Sequence, residues 1–264
     1  MIETKDLNVY YYSQKYNPLF DSQKNVIKAV DFVNLKIKKG EILGLVGESG
    51  SGKSTLGKTI LQLQQPTSGS VYYNDIDLCK LDQKSLKSIR KKLQIIFQDP
   101  YASLDPRKTI DFTVTEPLLV HDLLTKKKLK SKAEELLNTV GLDPSYCERY
   151  PHELSGGQRQ RVGIARALST EPEFIVADEP VSALDVSIQG QILSLIKKLQ
   201  KDLNLTILFI SHDLRVVRYL SNRIAVMLNG KIVDFSQDND IFKNPSHPYT
   251  RKLLASIPVA SWER

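Results

Sequence analysis

Hydrophobic and β-branched residues open the chain in two runs, Ile2 to Tyr11 and Val26 to Ile37, neither apolar enough throughout to read as a fully buried strand. The polar stretch Ser13 to Lys24 between them, interrupted by Pro18, reads as an exposed loop. Glu41 to Gly47 is a short apolar run that leads into a glycine-rich turn. Ser54 to Leu63 continues with helical spacing until Pro66, so strand, loop and helix follow in order. Further on, Phe174 to Ala177 and Thr206 to Ile210 read as buried parallel strands. The helix between them keeps Ile192, Leu195, Ile196, Leu199 and Leu203 on one face. Together these units predict an α/β sheet. Thr109 to Tyr150 is mostly helical in pattern, with Ala133, Leu136, Leu137 and Val140 closing at Gly141, and predicts a helical subdomain. Asn229-Gly230 is a hairpin turn between Arg223 to Leu228 and Lys231 to Phe235, followed by short helices around Ile241 and Leu253.

A length of 264 residues means one large domain or two small ones, and 41% hydrophobic with 25% charged residues excludes collagen-like and wholly disordered chains. Cys79 and Cys147 are the only cysteines, too few for a disulfide framework or an all-cysteine metal site, which fits a reducing compartment. The net charge is +7, concentrated at Lys36, Lys38 and Lys39 and at Lys126, Lys127, Lys128, Lys130 and Lys132. These lysines are not interleaved with aromatic residues as a base-stacking surface requires, so they read as solvated faces and no nucleic-acid partner is expected. Met1 to Tyr12 carries no basic region followed by an apolar stretch, so no secretory signal is read there. The longest apolar runs, Thr206 to Ile210 and Ile42 to Val46, fall far short of the roughly 20 residues that cross a bilayer. If the protein works at a membrane, something else spans it.

Gly47-Glu48-Ser49-Gly50-Ser51-Gly52-Lys53-Ser54-Thr55 has the pattern of a phosphate-binding loop, placed after a strand and before a helix as that chemistry demands. The glycines turn backbone amides toward phosphate oxygens, and the helix N-terminus adds a favourable dipole. Lys53 reaches the β and γ phosphates, and the Ser54 hydroxyl suits magnesium. Asp178 and Glu179 stand at the C-terminal end of a buried strand, where ligands approach an open α/β sheet. Alone they would read as a solvated strand end. Beside a phosphate loop, Asp178 becomes the magnesium partner and Glu179 the group that polarises a water for attack on the γ-phosphate. Leu154-Ser155-Gly156-Gly157-Gln158 opens a helix carrying Arg159, Arg161 and Arg166 and offers a second set of N-terminal amides suited to an anion.

The ordered set of phosphate loop, Gln98 in Phe97-Gln98-Asp99-Pro100, Leu154 to Gln158, Asp178-Glu179, Ser182-Ala183-Leu184-Asp185 and His212 resembles the ATP-binding subunits of ABC transporters across nearly the whole chain. The resemblance implies an ABC-type P-loop ATPase fold in the α/β class, with a mixed sheet core, an antiparallel β subdomain and an inserted helical subdomain. Residues 1–102 and 169–235 would form the nucleotide-binding core, 103–168 the helical subdomain, and 236–264 a short C-terminal extension. It implies ATP and Mg2+ as cofactors, with an aromatic stacking on adenine, which the alignment of Leu7 to Tyr11 places at Tyr11 with Tyr10 as the alternative. Gln98 would touch metal and attacking water, and His212 would contact the γ-phosphate. Two ATPase subunits would pair head to tail, so that Ser155, Gly156, Gly157 and Gln158 of one complete the phosphate loop of the other, with Asp185 crossing the interface.

Phe97 to Arg107, Val186-Ser187-Ile188-Gln189 and Asn244-Pro245-Ser246-His247-Pro248-Tyr249-Thr250 are similar to the oligopeptide, dipeptide and nickel importer branch. That likeness implies a heterodimer with a related ATPase, two transmembrane permease subunits, an extracytoplasmic solute-binding protein, and a peripheral place on the cytoplasmic face of the membrane. Peptide import is the expectation. The sequence ends at Arg264, short of the long tails common in that branch, which keeps nickel or metallophore import as the alternative. Remoter readings are a soluble ABC-type ATPase acting on ribosomes or DNA, and a monomeric phosphate-loop kinase or GTPase that would leave Leu154 to Gln158 unexplained.

Overall fold

β1 (Ile2–Gln14) and β2 (Lys24–Ile37) pair antiparallel in the computed structural model, which describes residues 1–14, 24–237, 241 and 244–255. The ladder runs from Ile2↔Ile37 to Gln14↔Lys24, so both ends of the expected Ser13-to-Lys24 loop are strand, and 15–23 lie outside the described residues. Register shifts between Thr4 and Tyr10 accompany left-handed backbone at Asp6 (φ 45°) and Phe32 (φ 52°). These bulges bend the ladder. Ile2, Leu7, Val9, Val30, Val33 and Ile37 bury its inner face. β3 (Ile42–Val46) is buried at every position and leads through the glycine-rich loop into α1 (Lys53–Ile60). β4 (Ser68–Tyr73) adds to the other edge of β1 and β5 (Ile76–Asp77) to β4, all antiparallel, giving the order β2-β1-β4-β5.

α2 (Gln83–Arg90) starts at Asp82, whose carboxylate accepts from the Ser85 amide at 2.9 Å. It is followed by β6 (Leu93–Ile96), α3 (Ile110–Val120), α4 (Leu129–Thr139), α5 (Gly156–Leu168), β7 (Phe174–Asp178), α6 (Val186–Asp202) and β8 (Thr206–Ser211). β7 is parallel to β6 on one side and to β8 on the other, and β7 and β8 are buried throughout, as a strand covered on both faces must be. α3, α4 and α5 pack on one another within 103–168. Ala133, Leu136, Leu137 and Val140 are buried as the pattern required. α6 buries Ile192, Leu193, Ile196 and Leu199; Leu203, expected on that face, lies past the last turn and is 50% exposed.

α7 (Leu214–Leu220), β9 (Arg223–Leu228), β10 (Lys231–Gln237) and α8 (Pro248–Ala255) follow. β9 runs parallel to β3 and antiparallel to β10, a mixed sheet. The β9–β10 turn has Asn229 at φ 47° and Gly230 at φ 81°, the positive pair that a tight right-twisted hairpin needs. By their contacts the strands and helices form two compact units: Met1–Leu81 with the segment from Ser211 onward, and Asp82–Ile210. The helix expected around Leu253 is α8; of the one expected around Ile241, 238–240 and 242–243 lie outside the described residues. Among the described residues no helix is long and apolar enough to cross a membrane.

Candidate functional site

In the first unit the loop from Gly47 to Gly52 is pressed against two other stretches of backbone. A Cβ on Gly47 would come within 2.1 Å of the Met227 carbonyl oxygen, and one on Gly52 within 1.9 Å of the Ala29 carbonyl oxygen. Gly52 has φ +106°, a conformation L side chains rarely adopt, and it is the N-cap of α1 with no side-chain cap. No side chain caps the N-terminus of α1, an arrangement in which a helix start can take an anion. The β9–β10 turn holds the loop from behind: the Gly230 amide donates to the Ser51 carbonyl and the Asp31 amide to the Gly230 carbonyl, both at 2.9 Å. Lys53 is buried, and its Nζ donates to the carbonyls of Gly47 and Glu48 at 2.8 Å each and to Ser51 Oγ at 3.4 Å. Glu48, Ser49 and Gly50 are exposed at the rim, and Ser54 and Thr55 are half-buried on the first turn of the helix.

Tyr11 is 42% exposed and its hydroxyl donates to Gln64 Oε1 at 2.7 Å. Tyr10 points elsewhere, its hydroxyl bonded to Asp31 at 2.7 Å and Asn8 at 3.0 Å. That bond holds the Asp31 carboxyl below the usual range, with Lys231 and Lys28 adding to it, and pushes the Tyr10 phenol up. Of the two tyrosines, Tyr11 has the more open ring. His212 follows β8 and is exposed, next to Asp213, whose carboxylate caps α7 by accepting from the Arg215 amide at 2.8 Å.

In the second unit Ile96 of β6 pairs with Ala177 of β7, so Gln98 and the Asp178-Glu179 pair leave neighbouring parallel strands at the same end. That is the carboxyl edge where ligands of open α/β sheets bind. Asp178 is 5% exposed at the last position of β7. Glu179 turns the chain out of the sheet with φ 43°; its amide donates to the Ile210 carbonyl at 3.0 Å, and its own carbonyl accepts from the Ser182 amide at 3.2 Å and hydroxyl at 3.1 Å. A non-glycine residue held left-handed costs about 1–3 kcal/mol and persists only where its surroundings fix it. Gln98 is exposed, and Asp99 beside it accepts from the amides of Tyr101 at 2.7 Å and Ala102 at 3.2 Å.

Ser155 caps α5 reciprocally: its hydroxyl accepts from the Gln158 amide at 3.3 Å while Gln158 Oε1 accepts from the Ser155 amide at 2.9 Å. Gly157 is a glycine because Ile188 of α6 would sit 2.6 Å from a Cβ there. The arginines of α5 serve the fold. Arg159, Arg161 and Arg166 donate to the carbonyls of Pro151, Val140 and Ser103 at 2.7, 2.5 and 2.6 Å, so the anion-binding capacity of this terminus rests on its amides and on Ser155. Asp185 is the N-cap of α6, exposed, and makes no side-chain cap.

Ser54 (a hydroxyl), Asp178 (a carboxylate) and Gln98 (a carboxamide oxygen) each carry a hard oxygen of the kind magnesium takes. Among the described residues no three His, Cys, Asp or Glu side chains cluster into an all-protein metal cage. Sequence reasoning missed the backbone supports of the loop, at Ala29, Met227 and Gly230, and it read Tyr249 only as part of a branch motif; the structure places Tyr249 against the loop, its hydroxyl accepting from the Glu48 amide at 3.0 Å.

A family model described as ABC transporter matches residues 30–182. The chain is similar to the oligopeptide transport ATP-binding protein AppF of Bacillus subtilis, 51% identical over 98% of this chain and 78% of that protein. It is also similar to OppF of the same organism, 52% identical over 91% of this chain and 79% of that one. Among solved structures, the dimeric post-hydrolysis state of the ATP-binding cassette MJ0796 bound to ADP and Pi superposes with a TM-score of 0.79 at 34% identity, covering 90% of this chain and 98% of that one.

Proposed function

From the premise that the chain belongs to the ABC transporter ATP-binding family, we propose that it hydrolyses ATP to energise the import of peptides across a membrane. The observation that carries the ATPase reading is the glycine loop closed around Lys53, whose Nζ it draws in through the Gly47 and Glu48 carbonyls at the start of α1. The curated relatives are named for oligopeptide or peptide transport, and that favours peptide over nickel as the solute class.

Lys53 and the loop amides bind the triphosphate, while Tyr11 offers its ring to the adenine. Ser54, Asp178 and Gln98 would hold Mg2+, which neutralises phosphate charge when bound. Glu179 takes the proton of the attacking water and His212 senses the γ-phosphate. Ser155, Gly156, Gly157 and Gln158 act in trans on the nucleotide of a second, related ATPase subunit, with Asp185 at that interface; dimeric cassettes of the same fold support this pairing. The pair sits peripherally on the cytoplasmic face beneath two permease subunits, fed by an extracytoplasmic solute-binding protein. The test is uptake of radiolabelled oligopeptides by cells in which the chromosomal copy is replaced by Lys53→Ala. Loss of peptide uptake with nickel uptake intact is expected. Normal peptide uptake with nickel uptake lost refutes the solute class, and normal uptake of both refutes the ATPase role.

A further inference from the structure

The Asn244-to-Thr250 motif remains outside the roles given so far, although it lies within the same unit as the phosphate loop. Its backbone is fastened to β10: Asp234 Oδ2 accepts from the amides of Ser246 at 3.1 Å and His247 at 3.0 Å, and the Asp234 side chain is buried. His247 Nδ1 in turn accepts from the Tyr249 amide at 3.1 Å, which fixes the start of α8 and aims the tyrosine. The far end of that side chain meets the phosphate loop, where Tyr249 Oη accepts from the Glu48 amide at 3.0 Å.

Glu48 is gripped on both sides. Its amide is held by Tyr249, while its carbonyl accepts from Lys53 Nζ at 2.8 Å and from the Ser51 amide at 3.2 Å. Glu48 is exposed, so without the tyrosine its amide would be free to bond water and the peptide free to rotate. Rotation would redirect the Gly47 carbonyl, which shares that peptide plane with the Glu48 amide and accepts from Lys53 Nζ at 2.8 Å, and Lys53 is the residue that reaches the phosphates. We propose that Tyr249 is a positioning residue for the nucleotide site: through the Gly47–Glu48 peptide it sets the conformation in which the phosphate loop and Lys53 receive a triphosphate, and Asp234 is the anchor that holds Tyr249 in place.

The inference rests on the ATPase reading above, and its test separates the two. Tyr249→Phe keeps the ring and removes only the oxygen. Binding of a fluorescent ATP analogue to the full chain is measured together with competition by inorganic tripolyphosphate, which carries no adenine, and with the melting temperature of the nucleotide-free protein. Tyr249→Phe should weaken both ligands by the same factor, about three- to tenfold, as expected for one hydrogen bond, with melting unchanged. Asp234→Asn, whose single oxygen cannot serve both the Phe235 amide on one side and the Ser246 and His247 amides on the other, should shift both ligands in the same direction. Wild-type affinity of Tyr249→Phe for both ligands overturns the proposal, as does a loss seen with the ATP analogue and not with tripolyphosphate. If the wild-type chain binds neither ligand, it is the ATPase reading that falls.

Discussion

Gly52 offers the sharpest test of how the phosphate loop is built. Its φ of +106° and the 1.9 Å from a hypothetical Cβ to the Ala29 carbonyl oxygen are two separate obstacles to any side chain. Gly50, two residues earlier, shares only the first: its φ is +80° and a Cβ there meets nothing within 4 Å. Placing an L-residue in left-handed backbone costs about 1–2 kcal/mol. The backbone oxygen at Gly52 cannot swing aside as the Met227 methyl can, so overpacking adds about 1–3 kcal/mol. Gly50→Ala should then lose about 1–2 kcal/mol and Gly52→Ala about 2–5 kcal/mol; at about 1.4 kcal/mol per tenfold, that is about 5- to 30-fold against about 30-fold or more in ATP affinity. The loop of Gly52→Ala relieves its clash by lifting off β2, and the lost geometry must be restored when a triphosphate binds, so the cost is read in the dissociation constant. Isothermal titration of both variants with MgATP measures it, and thermal melting reports any part that falls on the free protein. Affinities for the two variants within about threefold of each other would show that the Ala29 contact does not shape the site.

Glu179→Gln should keep ATP binding and lose turnover by at least about 100-fold, the ordinary worth of a general base, and normal steady hydrolysis would remove Glu179 from that role. Ser155→Ala should lower the melting temperature by removing the α5 cap, worth about 1 kcal/mol, and Ser155→Asp should restore melting, because aspartate caps equally well, without restoring ATPase activity. Recovery of activity with the aspartate would show that Ser155 only caps. Asp31 is a carboxylate whose folded-state pKa is depressed, chiefly by Tyr10 and further by Lys231 and Lys28, so its contribution is complete above its unfolded pKa of about 4 and is lost as pH falls through the folded value. The melting difference between wild type and Asp31→Asn should accordingly hold steady from neutral pH to about pH 4 and shrink below it, and a gap that widens on acidification would contradict the assignment.

The parts of the fold that were legible in the sequence are those whose cause is local. Asn229-Gly230 supplies the positive φ pair of its hairpin by itself, and the spacing of glycines ahead of Lys53 and Ser54 marks the loop wherever a strand precedes it. β6 escaped notice because it has only four residues, preceded by Lys91 and Lys92, and takes its strand character from pairing with β7. The length of β1 and β2 was underread for the same reason: Ser13, Gln14 and Lys24 are in strand because the opposite strand is there. Glu179's left-handed turn has no sequence mark, since glutamate does not favour it; it is imposed by the bonds to Ile210 and Ser182. The supports of the phosphate loop come from Ala29, Met227, Gly230 and Tyr249, each far from the loop in sequence, and no local rule joins them to it.

The helix terminus at Ser155 shows how one group of atoms can serve the free chain and still be available to a partner. The first amides of a helix have no carbonyl within it, and here the Ser155 hydroxyl takes the Gln158 amide. An accepting hydroxyl retains its proton, so Ser155 can donate to a phosphate oxygen without giving up the cap. Gly156 and Gly157 precede Gln158 in the same turn, and the absence of side chains lets an anion approach their amides closely. At Gly157 that absence is also enforced from behind by Ile188. Gln158 is tied twice more, to the Ser155 amide and to the Tyr146 hydroxyl at 3.2 Å, which keeps the turn from opening when no ligand is near. A terminus built in this way is preorganised: the ordering entropy is met in folding, and an anion that binds there needs only to replace water at amides already held in place.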